Sequence, residues 1–278
     1  MQSIRPNMFE YQLESLFNHY AYFRRGCRLA CYIGIVGSGP NAAVLHYGSA
    51  VAPNDRQMKS GDMVLIDMGA EYFCYGSDIT RTIPVSGKYT DQQKLVYNVV
   101  LNATRSVQKA ARPGVMWIHL VNIAQHALVY HLNAMGLLNS TNGTVADMLE
   151  AGIGDIFMPH GLGHQLGLDV HDAELWHNER LENATERVPP HLGVEKTRIL
   201  EEGMYITIEP GLYFIDTLID KAFRNSTQSK YLVKDEIEKY RGFGGVRIED
   251  DFIVTKDGVE ALNDIPVTPE EIEAFMAK

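Results

Sequence analysis

The sequence predicts an α+β protein made of two related halves that face one another across a pseudo-twofold axis. Two observations carry this. Strand-like runs alternate with well-capped helices along the chain. One short pattern also occurs twice: Val64-Leu65-Ile66-Asp67-Met68-Gly69 and Ile206-Thr207-Ile208-Glu209-Pro210-Gly211 each carry three strand-like residues, then an acid, a spacer and a glycine. In both, a carboxylate ends the strand.

Element by element, Met8, Leu13, Leu16 and Phe17 recur near a helical period and Pro6 suits a first turn, so an entry helix runs from Pro6 to Tyr22. Strands follow at Leu29 to Val36 and Ala42 to Leu45, around the breaker cluster from Gly37 to Asn41. Met63 to Asp67, Tyr72 to Tyr75 and Asp78 to Pro84 read as a short antiparallel meander with glycines at its corners. Thr90-Asp91-Gln92-Gln93 is a capping box for a helix that ends near Arg112, where Pro113-Gly114 stops it. A second helix spans Trp117 to Met135 and a shorter one Thr144 to Glu150. Beyond a Gly- and His-rich stretch from Pro159 to Asp172, strands are expected at Met204 to Glu209, Leu212 to Phe214 and Val246 to Val254. The charged region from Asp216 to Arg241 between them reads as a helical insertion. Thr268-Pro269-Glu270-Glu271 caps a closing helix.

Composition narrows the function. With 278 residues, 45% of them apolar, the chain can bury a sizeable core, which excludes disorder as the main state. Lys+Arg number 25 against Asp+Glu 35, a net charge of −10, and no stretch is dense in Lys or Arg. Nucleic acid is therefore not the expected partner, because phosphate contacts need a positive face. No apolar run approaches a membrane span, and no signal peptide opens the chain. Cys27, Cys31 and Cys74 form neither a CxxC pair nor an even framework, so a reducing, cytoplasmic location is expected.

The anomaly is a set of acids in strands. An unpaired buried carboxylate costs several kcal/mol, yet Asp67 ends an apolar run, Asp78 opens Ile79-Thr80-Arg81-Thr82, Glu209 ends Tyr205-Ile206-Thr207-Ile208, and Glu249 follows Val246-Arg247-Ile248. Singly, each reads as a solvated strand end. As a set they need a common positive partner. The run Pro159-His160-Gly161-Leu162-Gly163-His164 adds a histidine, with glycines that let backbone approach a site closely. Four carboxylates and one neutral imidazole carry −4, which two divalent cations would cancel. An oxygen-rich set with one nitrogen favours Mn, Co or Zn over a structural thiolate zinc site.

These motifs resemble those of a known family. Leu65-Ile66-Asp67-Met68-Gly69, Ser77-Asp78-Ile79-Thr80-Arg81, Met158 to His164, Thr207-Ile208-Glu209-Pro210-Gly211 and Val246-Arg247-Ile248-Glu249-Asp250 are similar, in order, to the five ligand motifs of the pita-bread metallopeptidases, family M24. That family includes methionine aminopeptidase, aminopeptidase P and prolidase. Tyr11 to Phe17, Val44-Leu45-His46-Tyr47-Gly48, Gly167 to Asp172 and Tyr240 to Val246 resemble the eukaryotic-type prolidase branch. The resemblance implies the pita-bread (creatinase/aminopeptidase) fold with a curved antiparallel sheet, over a single catalytic domain at residues 1–278.

It further implies a peptidase that hydrolyses Xaa-Pro dipeptides or short peptides with a hydroxide shared by two metal ions, with manganese the expected ion. Asp67 would hold one ion, Asp78 and Glu249 would bridge both, and His164 and Glu209 would complete the other. Glu209 and His171 are the expected catalytic groups: Glu209 as proton shuttle, His171 as donor to the scissile carbonyl, with Asp169 and Asp172 beside it to orient the ring. His46, His160 and His171 match positions lining the substrate pocket. Arg247 is suited either to anchoring a substrate carboxylate or to pairing with the metal carboxylates. Two departures stand out: Val194-Glu195-Lys196-Thr197-Arg198 carries Glu195 where prolidases place a carboxylate-binding Arg, and the N-terminal domain of full-length prolidases is expected to be absent. Rival readings are an aminopeptidase P-like or methionine aminopeptidase-like exopeptidase, and a metal-free peptide-binding module of the same fold. Pairing into a homodimer is left open.

Overall fold

Capping and strand periodicity place most elements where the sequence predicts them. The computed structural model describes residues 1–50, 52–172 and 198–278. In chain order these form α1 (Glu10–His19), β1 (Leu29–Ala30), β2 (Ile35–Ser38), β3 (Met63–Met68), β4 (Ala70–Glu71), β5 (Ile79–Pro84), α2 (Asp91–Ala110), α3 (Trp117–Ala134), α4 (Val145–Glu150) and α5 (Ile153–Phe157). Then come β6 (Tyr205–Ile208), β7 (Gly211–Tyr213), α6 (Asp216–Arg224), α7 (Ser226–Ser229), α8 (Lys234–Ile237), β8 (Gly245–Arg247), β9 (Asp250–Val254), β10 (Val259–Ala261) and α9 (Pro269–Met276). The capping boxes at Thr90 and Thr268 form as the sequence predicts, and α6 to α8 are the expected helical insertion.

Two three-stranded antiparallel sheets carry the architecture, in the orders β2-β3-β5 and β10-β9-β6. They match in design. In one, β3 holds Asp67 near its end and β5 is preceded by Asp78; in the other, β6 runs into Glu209 and β9 is preceded by Glu249. The α2–α3 pair backs both. Val96, Val100, Leu128 and Leu132 pack with Val64 and Ile83 of the first sheet, while Val107, Leu120, Val121 and Ala124 pack with Ile206, Ile208, Phe252 and Val254 of the second. Each fully buried Val, Leu, Ile or Phe side chain among these stabilises the fold by roughly 1.5–3 kcal/mol relative to its exposed state.

Several expectations are corrected. The entry helix starts at Glu10, after Pro6, because the Gln12 side chain caps the Phe9 N–H at 2.7 Å; it continues as a π-helical turn over Tyr20–Arg24. The strand expected from Leu29 to Val36 is split into β1 and β2. The strand expected at Ala42 to Leu45 does not form: Gly39 takes a φ of 52°, Pro40 fills a first-turn position, and Gly39–Ala43 winds into a 3₁₀ helix. Tyr72 to Tyr75 is a tight turn with Phe73 and Cys74 at positive φ, closed by a Tyr72–Tyr75 bridge. The strand predicted from Val246 to Val254 breaks at Ile248–Glu249, so β8 pairs with β7 while β9 pairs with β6. α5 and β10 were not anticipated. Among the described residues no helix is long and apolar enough to cross a membrane.

Candidate metal centre

Asp67 lies on the central strand β3, with Ile35 opposite on one side and Thr80 on the other. Because Cβ atoms alternate across a strand, Asp78, Thr80 and Thr82 project to one face. On the far sheet, the break at Ile248–Glu249 hands the chain from one pairing partner to another. The loop bearing His160 and His164 is laid directly on β6: the His164 N–H donates to Thr207 Oγ1 at 3.0 Å, Thr207 N to the His164 carbonyl at 2.9 Å, and Glu209 N to the Leu162 carbonyl at 2.8 Å. Gly163 permits this, since a Cβ there would collide with the Thr207 carbonyl. Gly163 thus brings the loop backbone against β6, which runs into Glu209.

The fold brings all five predicted ligands to one cavity of about 830 Å³, which His46, His160, His171 and Arg247 also line. One donor atom each from Asp78, His164 and Glu249 lies within 4.8 Å of the others, spacing able to hold a metal ion. His164 Nε2 stands 3.4 Å from Asp78 Oδ2 and 3.7 Å from Glu209 Oε1. Its Nδ1 donates to the Gln165 carbonyl at 2.8 Å, which leaves Nε2 as the atom facing the carboxylates. The Tyr32 hydroxyl reaches Asp67 Oδ1 and Asp78 Oδ1, both at 2.6 Å, and Thr80 Oγ1 donates to Glu249 Oε2 at 2.5 Å.

Arg247 is spoken for. Nη2 forms a short ion pair with Asp67, Nη1 donates to the Tyr213 hydroxyl at 3.0 Å and Nε to Thr80 Oγ1 at 3.2 Å. Its guanidinium, 4% exposed, thus meets Asp67 and the hydroxyls of Thr80 and Tyr213. His171 stacks edge-on to His164 at 4.3 Å. His160 donates from Nδ1 to the Gly161 carbonyl at 2.6 Å, and its buried Nε2 has no hydrogen-bond partner among the described residues. Glu195 and Lys196 lie outside the described residues.

The electrostatics are those of a negative cluster deprived of solvent. Burial, then Asp78, Glu209 and Asp67, push the Glu249 carboxyl well above its usual range. Burial likewise raises Asp67, against the pull of Arg247, and lifts Glu209 to about 7. Burial opposes the charged form of His164, but the Asp78 hydrogen bond and Glu209 outweigh it and carry the ring to about 9. Burial and Arg247 push His160 down to about 3, so that ring stays neutral. A cluster that draws protons onto a histidine and its own carboxyls is one whose charge a cation would balance, and its donors, oxygens with one imidazole nitrogen, suit a divalent ion.

The residues that sequence reasoning missed are the ones that orient the ligands. Thr80 and Thr82 share the period-2 face of Asp78, a signal present in the sequence. Tyr32 and Tyr213 carry no such signal, being ordinary aromatics in apolar runs. Asp251, not singled out from the sequence, is 3% exposed and accepts from the Asp78 N–H at 3.1 Å and the Tyr205 hydroxyl at 3.1 Å.

Comparison with known proteins decides the family. The profile of metallopeptidase family M24 matches residues 1–256. This chain belongs to family M24. Human Xaa-Pro dipeptidase is 48% identical over 277 residues, covering 100% of this chain and 55% of the human protein. Xaa-Pro aminopeptidase of Escherichia coli is 38% identical, over 99% of this chain and 54% of the bacterial protein. The M24 chain thus spans about half the length of these relatives. A variant of E. coli aminopeptidase P in complex with substrate superposes with a TM-score of 0.80 at 36% identity, over 99% of this chain and 54% of that one. The zinc-substituted enzyme in complex with product gives 0.79 at 36% identity over the same shares. The fold is therefore the pita-bread fold of M24, as the motifs imply.

Proposed function

We propose that the chain is a dinuclear metallopeptidase domain, at residues 1–278, that hydrolyses the Xaa-Pro bond of dipeptides. The observation that carries this is the convergence of Asp67, Asp78, His164, Glu209 and Glu249 on one cavity, in a chain 48% identical to a Xaa-Pro dipeptidase and 38% identical to a Xaa-Pro aminopeptidase. Those five residues would hold two divalent ions, manganese being the first choice for so oxygen-rich a set. When bound, such a pair supplies a water acidified towards neutrality and an electrophile for the peptide carbonyl.

The chain's own residues do the rest. Glu209, beside His164 and with Arg247 Nε at 4.0 Å, takes the proton released as water attacks and passes it to the departing proline nitrogen. His171 donates to the carbonyl oxygen as charge grows there. His160, whose Nδ1 is taken by the Gly161 carbonyl, keeps an unprotonated Nε2 that would accept a substrate N–H, and His46 lines the same cavity. Tyr32, Thr80 and Arg247 keep the carboxylates aimed. The three free cysteines fit a cytoplasmic protein. The test is hydrolysis of Gly-Pro against Gly-Pro-Ala after manganese loading, with faster release from the dipeptide expected. Faster cleavage of the tripeptide would assign the chain to aminopeptidase P-like work, and cleavage of neither would refute the peptidase reading.

A further inference from the structure

The two sheets meet with little main-chain pairing. Between β5 and the stretch from Gly245 to Val254 the described residues form a single bridge, Thr80–Glu249, with Glu249 N donating to the Thr80 carbonyl at 3.1 Å. The rest of this seam is stitched by side chains. Thr82 Oγ1 donates to the Arg247 carbonyl and accepts from Arg247 N, both at 3.0 Å, and Asp251 accepts from Asp78 N. Asp78 and Glu249 stand on opposite sides of this seam, so its register sets their separation.

Arg81 is the strongest stitch. It projects from β5 on the face opposite Thr80 and Thr82, away from the cavity, and is 4% exposed. Nη1 donates to both carbonyls of the bridged pair, Glu249 at 2.8 Å and Thr80 at 3.0 Å. Nη2 pairs with buried Asp250 at 2.6 Å and reaches the Ile265 carbonyl at 3.4 Å, while Nε donates to the Pro266 carbonyl at 2.9 Å. All five guanidinium N–H groups thus have acceptors, on three separate stretches of chain. A lysine, with one compact ammonium, cannot span them.

We propose that Arg81 is a positioning residue for the metal centre: it clamps the Glu249 carbonyl, Asp250 and the segment at 265–266 from behind the site, fixing the register at which Asp78 and Glu249 oppose each other. This rests on the reading above that both are ligands.

The test measures Mn²⁺ affinity by chelator competition, together with urea unfolding of the chelated chain. Arg81→Lys keeps a charge opposite Asp250. The double variant Arg81→Leu/Asp250→Leu removes the buried pair together and leaves no lone charge, so it decides the matter should the lysine variant not fold. Tyr97→Phe is the control: it deletes a 2.8 Å bond from the Tyr97 hydroxyl to the Val267 carbonyl, loosening the same C-terminal segment while leaving Glu249 alone. Both Arg81 variants should bind Mn²⁺ about 10–100-fold more weakly, whereas Tyr97→Phe should bind like the unaltered chain even where it unfolds more readily. Unaltered affinity in the double variant, or an equal loss in Tyr97→Phe, would overturn the proposal. A wild-type chain that binds no Mn²⁺ would instead remove the metal centre itself, and the role of Arg81 with it.

Discussion

Replacing Glu249 with glutamine separates a ligand from an ordinary buried acid. The side chain is 1% exposed and shares its surroundings with Asp67, Asp78 and Glu209, which together with burial already favour its protonated form. Glutamine has the shape of that protonated acid and keeps an oxygen for the Thr80 hydroxyl. In chelator, Glu249→Gln should therefore leave stability within about 1 kcal/mol of wild type. With metal the outcome differs. An ion at about 1,000 times its dissociation constant stabilises the fold by about 4.1 kcal/mol, and a 100-fold loss of affinity removes about 2.7 kcal/mol of that. At roughly 2–4 °C per kcal/mol for a domain near this size, Tm should fall by about 5–10 °C in Mn²⁺ and hardly move in chelator. Thermal scans of both proteins in both buffers decide it. Equal losses with and without metal would refute the argument, since they would make Glu249 a packing residue whose charge no cation balances.

Four further outcomes follow from particular contacts. Tyr32→Phe removes a hydroxyl shared by Asp67 and Asp78 and should weaken Mn²⁺ binding ~10-fold, read by chelator titration. Gly163→Ala drives a Cβ into the Thr207 carbonyl and should cost ~2–3 kcal/mol in urea unfolding. Arg247→Met removes the buried partner of Asp67 and should cost ~3–5 kcal/mol; an unchanged melting curve with only KM raised would favour the substrate-anchoring role. His160 has a folded pKa near 3 against 6.5 in its ordinary state, so the unfolded chain binds the extra proton and stability falls as pH drops below 6.5. From pH 6.5 to 5.0 this group alone should cost ~2 kcal/mol; His160→Gln should lack that slope, and parallel curves for the two proteins would refute it.

Local signals determined the elements whose causes are local. The capping boxes at Thr90 and Thr268, the stop at Pro113-Gly114 and the repeated strand-acid-spacer-glycine pattern are short-range features of the chain, and they read correctly because neighbouring residues alone decide them. The same patterns named Asp67, Asp78, His164, Glu209 and Glu249 as one group. Only the tertiary structure decided how that group is held. Glu249, Asp250 and Asp251 are three consecutive acids, all buried, and each faces a different partner: Thr80, Arg81 and the Asp78 N–H. The sequence named Arg247, and the fold placed Asp67, Tyr213 and Thr80 around its guanidinium. Those partners lie far away in sequence, and which side chains meet depends on how one sheet registers against the other. No periodicity within a single strand encodes that register; it is settled when the core behind both sheets closes and leaves every buried donor and acceptor to find its match.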